Sequence, residues 1–347
     1  MIEIDGAYGE GGGAIVRQAV ALAAYSGRAV RVTRIRAGRP QPGLKPQHVK
    51  AVEALAALSG ARVDGARVGS TELAFAPGPL VPGAFRFDVG TAGAATLVLQ
   101  ALLLPCLCHG GEFTIEVIGG TDVPWSPSAD YLASVTLPVL APFGAARLTI
   151  ERRGYYPKGG GRVCLLVRGT AVPPGSLTLV ERGPIRAVHG VSHAARILRD
   201  RHVANRQAEA ARETLQPLGV PATIRVEYGE SYSVGSGITL WTESPAGPAL
   251  GGSALGARGK RAEDVGRDAA RALLAEIEAG GAVDRYLADQ LVPFLAVSGG
   301  AVSASEVTSH ARSNMYVAET ILDARFRVEG RVVTATPPPR AHRPSPA

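Results

Sequence analysis

An internal repeat constrains this chain more than any other feature of its sequence. The segment that starts at Gln18 aligns with the segment that starts at Gln100, and both read as helix end, glycine break, alternating apolar strand and tight turn. The two segments stay in register, because 20 positions separate Gln18 from Gly38 and also Gln100 from Gly120. Such self-similarity indicates that one supersecondary unit is used more than once.

Each copy continues through a proline-bearing loop into a second helix and a closing strand. Small and apolar residues broken by glycine favour the helices, and alternation of apolar and polar residues favours the strands. The closing strands are expected around 61–63 and 146–150. A unit of strand, helix, strand, helix and strands therefore repeats after 82 residues.

A third copy begins at Gln290, and 20 positions further on lies His310. It starts 190 residues after the second copy, which is 108 more than the repeat requires. An insertion of that size is expected over 184–280 as a small αβ subdomain. Its strands and helices are expected at 185–192, 204–215, 222–227, 238–243 and 262–278.

The repeat and the insertion together predict the domain organisation. Residues 1–183 hold two units and the start of the third, 184–280 form the inserted subdomain, and 281–336 complete the third unit. Residues 337–347 contain five prolines and no apolar periodicity, which predicts a disordered tail. Equivalent loops of repeated units tend to converge, so the turns at Gly38, Gly120 and His310 are expected to share a cleft.

Composition limits the class of protein and the class of partner. With 46% apolar and 19% charged residues, the chain is expected to fold as an ordered globular protein. The net charge of +7 fits a polyanionic partner such as RNA. Three cysteines without metal-ligand spacing indicate neither a disulfide framework nor a zinc site. The absence of a signal-peptide pattern and the shortness of the longest apolar run, 94–108, predict a cytoplasmic protein without a membrane span.

The first motif with chemical meaning is the glycine-rich stretch 5–13, between an expected strand and the helix that begins near Ala14. Glycines let a backbone approach a ligand closely, and a helix N-terminus presents free N–H groups to an anion. Glu10 adds a carboxylate that can bind a divalent cation bridging to phosphate. A turn that serves packing alone is the alternative.

The second motif covers 35–48 and concentrates positive charge around a proline-stiffened turn. Arg36, Arg39 and Lys45 suit a site that holds phosphate, since arginine can bind phosphate in a bidentate fork. A solvated basic loop is the alternative. His48 belongs to the same loop and is expected to contact substrate.

Taken together, these motifs resemble the RNA 3'-terminal phosphate cyclase family, in family order along nearly the whole chain. The matching segments are Asp-Gly-x-x-Gly-Glu-Gly-Gly-Gly at 5–13, Ile-Arg-Ala-Gly-Arg-x-x-Pro-Gly-Leu-x-x-Gln-His at 35–48, Gly-Gly-Thr-Asp at 119–122, Tyr-Tyr-Pro-Lys-Gly-Gly-Gly at 155–161, Tyr-Leu-Ala-Asp-Gln at 286–290, and His310. One departure is Ala14, where family members usually carry glutamine.

The resemblance implies a fold and a reaction. The fold is α+β, with three βαβαββ-type repeats similar to the C-terminal domain of a translation initiation factor and an inserted αβ subdomain of thioredoxin-like topology. The reaction uses ATP and a divalent metal, Mg or Mn, to convert an RNA 3'-phosphate into a 2',3'-cyclic phosphate, releasing AMP and pyrophosphate. The expected partner is therefore RNA with a 3'-phosphate end.

The resemblance also implies roles for individual residues. His310 is the expected nucleophile, and Glu10 the expected metal ligand. Nucleotide binding is expected from Gln100, Pro127, Tyr286, Leu287, Ala288, Asp289 and Gln290. Phosphate or RNA binding is expected from Arg17, Arg36, Arg39, Lys45, Gln47 and His48. Asp289 and Gln290 as plain helix-surface residues are the alternative.

The chemistry of histidine agrees with this role for His310. A neutral imidazole can attack the α-phosphate of ATP, and the resulting phosphoramidate stays reactive. Joining AMP to an RNA 3'-phosphate then creates a good leaving group for attack by the neighbouring 2'-OH.

Two other functions compete with the cyclase hypothesis. A non-catalytic relative that binds RNA in ribosome assembly is expected to lack the nucleophile. An enolpyruvyl transferase would need six repeated units, more than 347 residues with one insertion supply.

Overall fold

The computed structural model describes residues 1–171, 174–245 and 247–338, and it confirms the predicted α+β class. The strands are β1 (Ile2–Asp5), β2 (Val30–Thr33), β3 (Arg62–Asp64), β4 (Leu73–Ala76), β5 (Gly83–Asp88), β6 (Glu112–Gly119), β7 (Gly144–Arg152), β8 (Gly161–Gly169), β9 (Leu177–Leu179), β10 (Ala187–Ala195), β11 (Ala222–Gly229), β12 (Ser236–Glu243), β13 (Gly251–Leu255), β14 (Gly300–Ser303), β15 (Arg325–Glu329) and β16 (Val332–Thr336). The helices are α1 (Gly13–Ser26), α2 (Pro46–Ser59), α3 (Ala95–Leu107), α4 (Ala129–Tyr131), α5 (Leu137–Val139), α6 (Val203–Leu215), α7 (Ala262–Ala279), α8 (Arg285–Ser298) and α9 (Ser309–Leu322). A π-helical stretch, Leu132–Thr136, joins α4 to α5.

Three four-stranded sheets share one strand order and one set of directions. In the sheet β1-β2-β4-β3, β1 runs parallel to β2, and both β2 and β3 run antiparallel to β4. The same arrangement recurs in β5-β6-β8-β7 and in β9-β14-β16-β15. Helices α1, α3 and α8 precede the second strand of each sheet, so they hold corresponding places in the chain order. We call these three sheets and their helices the body.

A fourth sheet, β11-β10-β12-β13, has its own apolar core with α6 and α7. Its elements run from Ala187 to Ala279, between β9 and α8, and we call them the inserted unit. The strands and helices expected there are present, but β13 was not predicted from the sequence. The exact domain boundaries and the thioredoxin-like topology stay predictions.

Helix packing brings distant parts of the body together. Helix α1 packs against α3 and α9, and α9 packs against α8. Small residues such as Ala19 and Ala318 are fully buried, which lets the helix backbones approach closely. As a result, the glycine-rich turn before α1 lies beside the start of α9.

The third unit has a shorter loop than the second, and this corrects the predicted place of His310. In the second unit, β6 ends at Gly119 and α4 begins at Ala129, whereas in the third unit β14 ends at Ser303 and α9 begins at Ser309. The expectation that His310 lies in a turn equivalent to Gly120 is therefore wrong. His310 lies in the first turn of α9.

Two expectations about the chain as a whole have different outcomes. None of the helices among the described residues is long and apolar enough to span a bilayer. The predicted disordered tail, 337–347, lies outside the described residues except for Pro337 and Pro338.

Candidate active site

A cleft of about 720 Å³ lies between the body and the inserted unit. Helices α1, α3, α8 and α9 line it from the body, and β13 and α7 line it from the inserted unit. The predicted site residues that line it are Arg17, Gln100, Pro127, Tyr286, Asp289, Gln290 and His310. A second cavity, about 830 Å³ and bordered by His189 and Trp241, is lined by no predicted site residue.

The start of α9 fixes the position of His310. Thr308 caps this helix, because its hydroxyl accepts a hydrogen bond from the Ala311 N–H at 3.0 Å. The same hydroxyl donates to Oδ1 of Asp289 at 2.6 Å, which ties α9 to α8. His310 therefore stands at the positive end of the α9 dipole, where an anion is stabilised and a neutral imidazole is favoured.

Glu10 connects His310 to the first unit of the body. Its Oε1 accepts a hydrogen bond from Ser309 Oγ at 2.8 Å and is also hydrogen-bonded to Nδ1 of His310. Its Oε2 pairs with Nη2 of Arg39 at 2.9 Å. The side chains of Glu10, Arg39 and His310 are 27%, 37% and 47% exposed, so a ligand can reach this cluster. No described residue hydrogen-bonds Nε2 of His310, which leaves that nitrogen for chemistry.

The electrostatic surroundings favour the neutral form of His310. Burial lowers its pKa below the ordinary value of 6.5, the charges of Arg17 and Arg39 lower it further, and Glu10 opposes them. The imidazole is therefore mostly uncharged at pH 7. With Nδ1–H donated to Glu10, the lone pair lies on Nε2.

The glycine-rich turn passes directly under this cluster. Gly9 and Gly11 have φ values of 59° and 56°, which favour glycine. A Cβ atom on Gly12 would lie 3.6 Å from Nη2 of Arg39 and 4.0 Å from Cε1 of His310. On Gly13 it would lie 2.0 Å from Nε2 of His48, so a side chain at that position would collide with His48.

Arg17 supplies an unpaired positive charge to the cleft. It is half-buried, has no carboxylate partner among the described residues, and burial lowers its pKa to about 10. The buried Nε2 of its neighbour Gln18 also has no hydrogen-bond partner among the described residues. Ala14, in place of the glutamine usual in the resembled family, also lines this wall. An unpaired guanidinium in a cleft is a site for an anion.

Two glutamines from different units meet across the cleft. Gln100 donates its amide to Oε1 of Gln290 at 3.0 Å, and Thr136 donates to the same oxygen at 2.9 Å. Gln290 in turn donates to the Tyr286 carbonyl at 3.0 Å. Asp289 lies on the same wall, and burial raises its pKa to about 7, helped by the charges of Asp284 and Glu10.

Tyr286 offers an aromatic surface at the cleft wall. The residue is 54% exposed, and its ring stands edge-on to the buried ring of Tyr131, with centroids 6.5 Å apart. Pro127 lines the cleft as well and is held through its carbonyl by Thr96. Leu287 and Ala288, which were expected at the nucleotide site, are buried in the core instead of lining the cleft, because successive helix residues point in different directions.

The basic loop contacts the site from outside the cleft. Arg36 donates to the carbonyls of Gln41 and Gly43 at 2.6 and 2.9 Å, so its guanidinium holds the loop in shape. Lys45 contacts the Gln41 side chain. Among the described residues, the loop is connected to His310 through Arg39, which pairs with Glu10, and Glu10 in turn contacts His310. Neither Arg39 nor Lys45 lines the cleft.

His48 and Gln47 lie at the start of α2 and are not part of the cleft lining. His48 is only 4% exposed, and its Nδ1 accepts a hydrogen bond from the Lys45 N–H at 3.1 Å. Burial, followed by the charges of Arg17, Arg36 and Lys45, lowers its pKa to about 3. Contact between His48 and substrate stays a prediction. Its position directly under Gly13 indicates that it supports the glycine-rich turn. Gln47 lies near Gly93 of the second unit.

A buried charge cluster joins the body to the inserted unit and is the one described group of His and acidic residues with metal-ligand spacing. Arg153 pairs with Asp122 at 3.3 Å, Asp130 at 2.6 Å and Glu227 at 2.9 Å. His193 Nε2 lies 3.2 Å from Asp122. The Arg153 guanidinium already supplies a cation to these carboxylates, so a metal ion would have to compete with it.

Sequence reasoning did not identify the residues that the inserted unit contributes to the cleft. They are Gly251, Gly252, Ser253, Ala272, Ala275 and Glu276. The Gly-Gly-Ser run was the available signal, since consecutive glycines often mark a close approach of backbone. Trp125 was also missed, although it lines the cleft and is 98% exposed.

Comparisons with known proteins assign a family to this architecture. Residues 8–328 match the family model described as RNA 3'-terminal phosphate cyclase. A protein of that name from Thermococcus onnurineus is 50% identical over 337 residues, covering 96% of each chain. Those from Archaeoglobus fulgidus and Pyrococcus furiosus are 48% and 47% identical over 336 and 333 residues, covering 96% of this chain and 99% and 96% of theirs. The chain therefore belongs to the RNA 3'-terminal phosphate cyclase family.

Proposed function

We propose that this protein uses ATP to convert an RNA 3'-terminal phosphate into a 2',3'-cyclic phosphodiester, with His310 as the adenylyl carrier. The observation that carries the proposal is that neutral His310 lines the same cleft as Arg17, and that neither Nε2 of His310 nor the Arg17 guanidinium has a partner among the described residues. A nucleophile beside an unpaired cation is what attack on a polyphosphate requires. The family names of the similar proteins agree with this reaction.

In the first step, Nε2 of His310 attacks the α-phosphorus of ATP and the bond to the β-phosphate breaks. Pyrophosphate leaves with the electron pair, and a phosphoramidate joins AMP to the histidine. Glu10 holds the Nδ1–H and stabilises the positive charge that the ring acquires during attack. Arg17 is placed to neutralise the charge that grows on the phosphates.

The aromatic and amide groups of the cleft would hold the nucleoside. Tyr286 presents a half-exposed ring and Pro127 lines the same cleft, which together suit a purine. The linked amides of Gln100 and Gln290 supply donors and acceptors beside this surface. Asp289 is tied to Thr308 at the start of α9, so it orients the helix that carries His310.

In the second step, an oxygen of the RNA 3'-phosphate attacks the phosphorus of the histidine adduct and releases the imidazole. The vicinal 2'-OH then gives its proton to solvent and its oxygen attacks the RNA phosphorus. A 2',3'-cyclic phosphate forms, and AMP leaves with the electron pair of the broken P–O bond. Proximity supplies much of the rate in this last, intramolecular attack. The basic loop approaches His310 through Arg39 and Glu10 and not through the cleft, which suits an RNA phosphate arriving while the nucleotide is bound.

Glu10 is the carboxylate that would hold a divalent cation beside the substrate phosphates. The Glu10 carboxylate contacts Arg39, Ser309 and His310, and its two oxygens still have lone pairs that can bind a cation. Magnesium commonly binds one carboxylate together with substrate phosphates. Such a cation would neutralise phosphate charge during transfer. The cytoplasmic location expected from the sequence stays a prediction.

The test of the proposal is a covalent adduct. Incubation with α-labelled ATP and magnesium should label the wild-type protein, and mild acid should release the label because a phosphoramidate is acid-labile. His310→Ala should abolish labelling. His202→Asn, at an exposed position with φ 51° that asparagine tolerates, is the matched control and should label normally. Label that survives acid, or that persists in His310→Ala, refutes the mechanism, and absence of label in the wild type favours the non-catalytic RNA-binding alternative.

A further inference from the structure

Asp284 is a completely buried carboxylate that the proposed reaction does not use. It lies immediately before α8 and contacts three separate parts of the protein. It caps α8 by accepting hydrogen bonds from the N–H groups of Tyr286 and Leu287, each at 2.9 Å. It also accepts from the Tyr131 hydroxyl at 2.6 Å and from the Gly251 N–H at 2.8 Å.

The two carboxylate oxygens divide these contacts between the body and the inserted unit. Oδ1 accepts from Tyr131, Tyr286 and Leu287, all of which belong to the body. Among the described residues, Oδ2 accepts only from Gly251, the first residue of β13. One oxygen therefore organises α8, and the other holds the inserted unit against it.

Strand β13 and the helix behind it form one wall of the cleft. Gly251, Gly252 and Ser253 line the cleft from this side, together with Glu276 of α7. A Cβ atom on Gly251 would lie 2.4 Å from Cε2 of Tyr131, so the strand approaches the body as closely as glycine allows. The opposite wall, α8, carries Tyr286.

We propose that Asp284 is a positioning residue that latches the inserted unit to α8 and thereby completes the nucleotide cleft. This inference rests on the proposed function only in taking ATP as the ligand of the cleft. It gives the inserted unit a role in the reaction, because its strand β13 becomes a wall of the nucleotide site. Without the hydrogen bond to Gly251, β13 can move away from Tyr131 and the cleft loosens around its ligand.

Other contacts keep the inserted unit attached when this latch is removed. Arg153 joins Asp130 to Glu227, and the hydroxyls of Ser128 and Thr239 lie 2.7 Å apart in the buried interface. Substitution of Asp284 should therefore loosen the cleft locally and leave the protein folded.

Asp284→Asn separates the latch from the helix cap. Its Oδ1 can still accept from Tyr131, Tyr286 and Leu287, whereas its amide now faces the Gly251 N–H as a second donor. Flipping the amide would restore this bond but would place its NH2 group against the N–H donors of Tyr286 and Leu287. Tyr131→Phe is the matched control, because it removes a hydrogen bond to the same carboxylate and leaves the latch in place.

Binding of α,β-methylene-ATP, which cannot transfer its adenylyl group, is measured by calorimetry. Asp284→Asn should raise the dissociation constant about tenfold and Tyr131→Phe less than threefold. Amide hydrogen exchange at Gly251 should accelerate in Asp284→Asn alone. In adduct formation, KM for ATP should rise about tenfold while the rate at saturating ATP stays close to that of the wild type.

The remaining outcomes decide between the two hypotheses. Equal binding by wild type and Asp284→Asn, or an equal loss in Tyr131→Phe, overturns the latch while the proposed function stands. No binding by the wild type overturns the proposed function and the latch with it. If Asp284→Asn does not fold, Gly251→Ala serves instead, since its methyl group pushes β13 off Tyr131 and should weaken binding to the same extent. Unchanged binding in that variant overturns the latch.

Discussion

Two arginine-centred charge clusters join distant parts of this chain, and they differ in how much water reaches them. Arg39 pairs with Glu10 beside His310, where all three side chains are 27–47% exposed. Arg153 pairs with Asp122 and Asp130 in a cluster where these side chains are at most 10% exposed. Similar residue types therefore occur in two different dielectric surroundings.

The difference shows how burial separates structural from reactive charge. The Arg153 guanidinium is enclosed by carboxylates, and burial makes each of these contacts costly to break. The exposed cluster contributes little to stability, because water screens it. Its groups remain able to exchange partners, which a site that binds phosphate and forms a covalent bond requires.

The largest expected effect is on stability at the buried cluster. Arg153→Met leaves Asp122 and Asp130 buried without their cation, and the free energy of unfolding should fall by about 3–5 kcal/mol. Arg39→Met should change it by less than about 1 kcal/mol. Urea unfolding of both variants measures the difference. Similar losses in the two variants would remove the distinction between the clusters.

The next effect separates the two half-reactions at the exposed cluster. Arg39→Ala should slow cyclisation of a 3'-phosphorylated oligonucleotide by about 10–100-fold, since a charge-assisted phosphate contact contributes about 1.5–3 kcal/mol. Formation of the enzyme–AMP adduct should be largely retained. Tyr286→Ala should instead impair adduct formation itself. Equal losses in both steps for Arg39→Ala would assign the basic loop to the triphosphate.

A smaller effect concerns the carboxylate of the exposed cluster. Glu10→Gln keeps an oxygen for the His310 ring but loses the charge that attracts a cation. The magnesium concentration needed for half-maximal adenylylation should rise more than tenfold, about 1.4 kcal/mol. Glu72→Gln, at an exposed ion pair with Arg31, is the control. An unchanged magnesium titration would show that Glu10 only orients the histidine.

The smallest effect is a pH dependence of the buried cluster. Burial alone would raise the pKa of Asp122, but the charges of His193 and Arg153 outweigh it and hold that pKa well below its usual range. Since the folded-state pKa is depressed, this stabilisation is fully present above the unfolded-state pKa of about 3.9 and is lost as the pH falls through the folded-state value. The difference in unfolding free energy between wild type and Asp122→Asn should shrink as the pH falls below 4. A difference that stays unchanged below pH 4 would show that the pKa of Asp122 is not depressed in the folded protein.

Local sequence patterns predicted the elements of the fold well and their junctions less well. The α+β class was expected from the family resemblance, and the insertion's strands and helices from periodicity and glycine breaks. Strand β13 was not expected, because Gly-Gly-Ser carries no strand pattern. His310 was singled out by motif and by counting, yet the counting placed it in a turn. Loop length differs between the units, and position along a repeat does not encode it.

The sequence by itself determined the order of the units, the glycine-rich turn and the identity of His310 as the histidine to examine. These follow from period, backbone freedom and motif, which are local properties of the chain. Only the tertiary structure decided that Glu10 holds His310 from 300 positions away, that Arg17 lacks a carboxylate partner among the described residues, and that Asp284 joins α8 to Gly251. Such contacts depend on which helices pack together and on which charges that packing buries, and no local pattern specifies either.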